Sequence, residues 1–434
     1  MGFAALLAVV GLGAGAAPIT LYIERPPTTA ELRTLNTGAK HEPAQGALLG
    51  AYIDLDSTNT DLYKDSTGIN RRMPDAFERQ TGRQHATYFF YLGYGRPAPE
   101  DWITLLGMQG RVVHIALEPN NGLELVRDDA YLRRLAASLA NTKTPILLRF
   151  ASEMNGDWLA WNGNPELYKE KWRLVTRVMR EMAPNVAMVW CPYATPVRNI
   201  DDYYPGDEWV DWVGVNIYNV TYFNQNRKTP ARQVGPTELL DPVYERYAAR
   251  KPIMIGEYGA THYSRVEDRS VPEFAIGCIR SLYSALPRRY PRVKAVVYFN
   301  TNNMDLAHAR NNNYAVTQHP RVLQVYREKI ASPWFLSRMP APGAAPMPQP
   351  MPLRTDERVS GTITLSSWAP FHQGDLNLRL RVGGRIVFEA PDASGWETRL
   401  DTTTLPNGRV SVVAETRNGR RVVSRARGTL LVQN

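Results

Sequence analysis

The sequence is poor in the features that mark a disulfide scaffold, a membrane bundle or a nucleotide-binding fold. Cys191 and Cys278 are the only two cysteines in 434 residues, too far apart to specify a disulfide framework or a zinc site. Buried free thiols are the reading, with a disulfide between them left open in an oxidising compartment. No glycine-rich phosphate loop follows the first apolar run, which weighs against a doubly wound nucleotide-binding sheet. No comfortable membrane span is present either, because the one candidate, MGFAALLAVVGLGAGAAP, is short and rich in glycine and alanine. Residues 1–17 therefore read as an export signal, with Gly15, Ala16 and Ala17 suited to cleavage. The lack of a basic residue before the apolar run keeps an N-terminal anchor as the alternative. Secretion or a periplasmic location follows, with membrane anchoring in the second case.

Charge is not massed into a tail. The formal net charge is +9, with arginine spread along the chain. Simple solubility accounts for this, an acidic polysaccharide or cell-surface partner is the alternative, and no nucleic-acid motif accompanies it. At 44% hydrophobic and 21% charged residues the chain has the composition of an ordinary folded protein.

Eight apolar runs alternate with helical patterns, the rhythm of a parallel sheet covered by helices. They are ALLGAYIDL from Ala47, ATYFFYLGY from Ala86, RVVHIALEP from Arg111, PILLRFASE from Pro145, VAMVWCPYA from Val186, WVGVNIY from Trp212, PIMIGEYGA from Pro252 and VKAVVYFNT from Val293. Their number and spacing predict an α/β fold, a (β/α)8 TIM barrel over 47–337. Between the fourth and fifth runs, Asn164 and Pro165 predict a helix start, Leu167, Trp172, Val175 and Met179 its apolar face, and Pro184 its stop. Residues 18–46 are an N-terminal extension. The proline-rich text of 338–354 predicts a linker that joins neither helix nor sheet, since proline lacks an amide donor. Beyond it, 355–434 predicts short strands with turns at Gly383-Gly384, Asn407-Gly408 and Asn418-Gly419, an immunoglobulin-like β-sandwich. Its lysine-free, arginine-rich strands suit either a passive spacer or a surface facing a glycan or cell wall.

In such a barrel the chemistry lies at the C-terminal strand ends. Glu153 ends the fourth run and Glu257 the seventh, each followed by turn residues, Asn155-Gly156 and Gly259. Two carboxylates across a cleft can protonate a leaving glycosidic oxygen and attack the sugar, or activate water. Trp158, Trp161, Tyr218 and Tyr298 supply rings for sugar C–H faces and Asn155 an amide for hydroxyls, with both tryptophans expected to be exposed. Arg149 should point inward beside the pair and hold one carboxylate ionised. Glu118 is expected to line the cleft or pair with Arg149. His114 is read as a hydrogen-bonded core residue and Asn311–Asn313 as a loop.

Several ordered motifs, RFASEMNGDWLAW, NPELYKEKWRLVTRVMREMAPNVAMVWCP, YYPGDEWVDWVGVNIY and KPIMIGEYGA, resemble glycoside hydrolase family 26, a family of retaining β-mannanases. The resemblance runs from about Ala47 to Ile330. It implies Glu153 as general acid/base, Glu257 as nucleophile and Tyr218 as the partner of Glu257. It also implies Arg149 in support and Trp158 at the cleft border, with the carboxyls ~5–5.5 Å apart. The expected substrate is a β-linked polysaccharide, mannan or an exopolysaccharide; a glycan-binding or assembly protein on the same barrel is the alternative. No metal or organic cofactor is called for, and a monomer is expected. Two departures stand out. Ser152 occupies a position where the family has histidine, and YFNTNN ends the eighth run where tryptophan is common.

Overall fold

Each of the eight apolar runs forms a strand of one parallel sheet that closes on itself. The computed structural model describes residues 19–306, 311–341, 343–369, 376–391 and 395–434. We label the barrel strands β1 (Ala47–Tyr52), β2 (Thr87–Gly93), β3 (Val112–Glu118), β4 (Ile146–Phe150), β5 (Val186–Trp190), β6 (Trp212–Asn219), β7 (Ile253–Ala260) and β8 (Val293–Phe299). Closure is through β8 and β1, in register from Ala295 opposite Leu48 to Phe299 opposite Tyr52. Every residue of β1, β4, β5 and β8 is buried. That burial on both faces is why these strands read as continuous apolar runs rather than as alternating ones. The helix Pro165–Met182 begins as its sequence predicts, with the Asn164 side chain accepting from the Leu167 amide at 3.1 Å.

The described chain divides into two units, one of 29–279 with 291–345, the other of the N-terminal segment up to Thr28, 280–290 and 346–434. The second unit holds a four-stranded sheet ordered Gln349–Pro352, Thr20–Arg25, Thr362–Trp368, Trp396–Asp401. Its five-stranded sheet is ordered Glu357–Val359, Arg421–Val432, Gly408–Asn418, Leu376–Val382, Arg385–Ala390. Leu21, Ile23, Leu365, Leu380 and Val412 belong to one buried apolar cluster that draws on both sheets. The glycines at 383, 384 and 419 adopt positive φ in the hairpin turns.

Two expectations need correction. Gln349–Pro352, read as part of a linker unable to pair, is a strand beside Thr20–Arg25. It is the edge of its sheet, where prolines need no donor on the open side. Thr20–Arg25, read as part of an extension, is an inner strand of the same sheet. The apolar start, 1–18, lies outside the described residues. No described helix is long and apolar enough to cross a membrane. Cys191 and Cys278 are both buried and free.

Candidate active site

At the C-terminal ends of the barrel strands lies a cleft of about 930 Å³ whose lining includes Tyr91, Glu118, Glu153, Trp158, Tyr218 and Glu257. Glu257 arrives there through a β-bulge. Ile255 stands opposite Val215 in β6, whereas Glu257 stands opposite Asn216, so one extra residue, Gly256, is inserted between them. Simple alternation would turn Glu257 to the outer face, and the bulge turns it inward. Only glycine fits at the inserted position. A Cβ on Gly256 would meet the Asn216 side-chain oxygen at 2.8 Å and an Arg149 nitrogen at 3.0 Å.

The Glu257 carboxylate is surrounded by donors. Oε1 accepts from Arg149 and from the Tyr91 hydroxyl at 2.9 Å, and Oε2 accepts from the Tyr218 hydroxyl. Arg149 is fully buried with its guanidinium 4.9 Å above the Phe89 ring, so Glu257 is its counter-charge. Burial, then the neighbouring Glu257 charge, pushes the Tyr91 and Tyr218 hydroxyls far up, so both stay protonated donors.

Glu153 is held differently. The strand β4 ends at Phe150, and Glu153 sits in a left-handed conformation, φ 59°, with its amide bonded to the Cys191 carbonyl at 2.8 Å. Such a backbone costs about 1 kcal/mol for a residue with a side chain, and that bond and the turn closed by Gly156 to the Glu153 carbonyl hold it. Its carboxylate has no ion-pair partner among the described residues. Asn216 donates to Oε1 at 2.7 Å and the Trp158 indole to Oε2 at 3.3 Å. Burial, and then the negative charge of Glu257, raises its pKa above the usual carboxylate range.

Asn216 ties the two carboxylates together. Its oxygen accepts from Arg149 at 2.9 Å and from the Cys191 thiol at 3.2 Å, which leaves its amide hydrogens for Glu153. Burial keeps that thiol protonated, with its pKa pushed up to about 12.

The structure brings Glu153, Glu257, Arg149, Tyr218 and Trp158 to one place, and Trp158 is 51% exposed with its ring edge-on to Tyr193 at 5.3 Å. Three other expectations fail. Trp161, expected to be exposed, is 2% exposed and donates to the Ser152 carbonyl at 2.8 Å, pinning the loop from beneath. Tyr298 is buried against Tyr258 and Tyr326 with its hydroxyl on the Tyr314 carbonyl at 2.9 Å. Its neighbour Phe299 instead stacks on Tyr52, because the two-residue period of β8 sends 298 to the opposite face. Asn155 borders the cleft, but its amide is spent on the backbone of Tyr193 and Pro196, at 2.9–3.0 Å, so it shapes the wall.

His114 is buried as expected but unbonded. Neither ring nitrogen has a partner among the described residues, and the ring stacks on Phe89 at 4.7 Å. Burial, followed by Arg149, keeps it neutral. Glu118 lines the cleft and does not pair with Arg149; its nearest donor is the Ser152 hydroxyl at 3.5 Å, and burial pushes its pKa to about 7. Of the two departures, Ser152 faces the cleft, whereas Asn300 is buried and donates to Asp56 at 2.8 Å and Thr317 at 3.1 Å. Asn311 and Asn312, read only as loop, also line the cleft. Tyr91 and Asn216 were missed. Their signal was a polar atom inside an apolar strand at an inward register position, the same signal that marked Arg149.

Residues 93–231 match the family model described as glycosyl hydrolase family 26. That span takes in Glu118, Arg149, Glu153 and Tyr218 and ends before Glu257. The chain is similar to endoglucanase H of Acetivibrio thermocellus, 26% identical over 217 residues, which is 47% of this chain and 22% of that one. It is also similar to the β-1,3-xylanase TXYA of a Vibrio species, 33% identical over 166 residues, 36% of this chain and 31% of that one. A mannan endo-1,4-β-mannosidase of Bacillus subtilis is 32% identical over 117 residues, 24% of this chain and 32% of that one. The chain thus spans between about a fifth and a third of the length of these curated relatives.

Proposed function

Starting from a chain that carries a glycosyl hydrolase family 26 segment at residues 93–231, we propose that it is an exported, retaining endo-β-glycosidase that cleaves an uncharged β-linked polysaccharide. The observation that carries this reading is the contrast between the two glutamates. Glu257 accepts from an arginine and two hydroxyls, whereas Glu153 has no ion-pair partner among the described residues and a raised pKa. A general acid must start protonated and a nucleophile is held by a cation and hydroxyl donors, and the two environments differ in that sense.

In the first step Glu153 gives its proton to the glycosidic oxygen as the C1–O bond breaks, and a Glu257 oxygen bonds to C1. In the second, Glu153 takes a proton from water, the water oxygen bonds to C1, and Glu257 leaves as carboxylate. The sugar is thereby released with its configuration retained. Arg149, Tyr91 and Tyr218 hold the nucleophile's position, and Asn216 orients the acid/base.

Mannan, β-1,3-xylan and β-glucan are the substrates to try first, since the similar proteins include a mannan endo-1,4-β-mannosidase, a β-1,3-xylanase and an endoglucanase. Charge supports an uncharged glycan. Among the described residues Glu118, Asp157, Glu257 and the protonated Glu153 line the cleft with Arg198 as the one lining cation, and Arg149 is paired with Glu257. A polyuronate would find little unpaired positive charge there. The apolar composition of 1–17 supports export. The test is the Glu257→Ala variant, which should keep the fold and lose turnover. Added azide should restore part of it as a glycosyl azide of inverted configuration, and full activity in that variant would end the proposal.

A further inference from the structure

We propose that the outer face of the five-stranded sheet in the second unit is a docking surface for an acidic polysaccharide bearing carboxylates, and that this polymer is not the substrate of the cleft. The register builds the face. Leu378, Leu380 and Val382 of one strand and Val410, Val412 and Ala414 of the next are buried, so the alternate residues point outward. Across the strands Glu389, Arg379, Glu415 and Arg425 stand side by side, and two residues further along Arg381, Val413 and Arg427 do the same. Arg417 flanks them from the other end, two residues before the turn at Gly419.

Five guanidinium groups thus share this face with two carboxylates. Glu415 is held between Arg417, at 3.0 Å, and Arg425, at 2.8 Å, and Glu389 binds Arg379 at 2.5 Å. These pairs fix the direction of three forks without cancelling the face's positive charge. Arg381 and Arg427 have no carboxylate partner among the described residues; Arg381 donates to the Gly384 carbonyl at 3.1 Å, and Arg427 is exposed.

The choice of residue points to the ligand class. From Pro346 to Asn434 the chain has twelve arginines, eight carboxylates and no lysine. General solubility is served by either cation, whereas a planar fork is what binds a carboxylate through two parallel bonds. Ile386, 46% exposed and opposite Arg381, adds an apolar contact for a sugar's C–H face. A polymer with a carboxylate on each sugar can engage several forks at once. The described lining of the cleft offers that polymer Arg198 among four carboxyl groups, so, resting on the proposed function, its attachment holds the enzyme at an acidic matrix while the cleft works on an uncharged chain.

The experiment is affinity electrophoresis of the full chain through polygalacturonate at low ionic strength, with a neutral galactomannan, anionic phospholipid vesicles and duplex DNA as separate arms. The intact chain should be retarded by polygalacturonate and released as salt rises past the range where the screening length falls below ~8 Å. Arg381→Glu with Arg427→Glu should weaken that binding at least about tenfold, with an unchanged thermal melt. A control that reverses the same number of charges at Arg33 and Arg134, both exposed in the other unit, should retain most of it. Equal losses in the two variants, no retardation by polygalacturonate, or tighter binding to vesicles or DNA would overturn the proposal.

Discussion

The cleft of the barrel and the outer face of the five-stranded sheet are built by the same device, alternation along strands, and carry opposite charge. At the cleft, Glu118, Glu153 and Glu257 come together with each held by different partners, and Asp157 also lines it. On the sheet, one residue type repeats at matching register positions across neighbouring strands. Individual surroundings give individual roles and therefore chemistry, whereas repetition gives a field suited to a repeating ligand. A formal net charge of +9 averages over the two and describes neither.

The comparison can be broken first at the reacting pair. Glu257→Ala should abolish turnover, and Glu153→Gln should lower kcat by about 10²–10⁴-fold on a substrate with a poor leaving group. Neither should alter retardation by polygalacturonate. A joint loss would mean that the two regions are not separate in function.

The next largest effect is expected at the bulge. Gly256→Ala would push a methyl group toward the Asn216 oxygen and Arg149, costing about 1–3 kcal/mol of stability in a thermal melt. It should also lower kcat, because both residues orient the carboxylates. Tyr91→Phe removes one of the donors to Glu257 and should cost roughly tenfold in kcat/KM, in line with a hydrogen bond to a charged group. An unaffected Tyr91→Phe enzyme would show that Arg149 and Tyr218 suffice.

The smallest effects are shifts in the pH profile, and they carry signs. Glu153 must be protonated in the first step, so activity falls as pH rises through its raised pKa. Asn216 lowers that pKa by donating to the ionised form, and the Glu118 charge raises it. Asn216→Ala should therefore move the alkaline limb to higher pH and Glu118→Gln to lower pH. Shifts of the same sign would show that the limb belongs to another group.

The sequence carries the barrel well because burial on both faces leaves long apolar runs that need no knowledge of partners. Glu153, Glu257, Trp158 and Tyr218 are legible as polar or aromatic breaks at the ends of those runs. What local pattern does not carry is the partner. Thr20–Arg25 has no signal that it will pair with Gln349–Pro352 more than 300 residues away. Tyr298 and Phe299 are adjacent aromatics, and only the strand's register decides which faces inward. Trp161 resembles Trp158 in its loop, yet it is buried and donates to the Ser152 carbonyl. Asn216 needed the bulge at Gly256 to bring Glu257 opposite it, a geometry with no trace in spacing beyond a glycine before a glutamate.

Release of reducing ends tests the central claim most directly, measured on a panel of neutral β-linked glycans and a polyuronate for the intact chain, Glu153→Gln and Glu257→Ala. The account predicts release from at least one neutral glycan with retained configuration in the first product, none from the polyuronate, and loss in both variants. Undiminished release by Glu257→Ala, or a first product of inverted configuration, would contradict it.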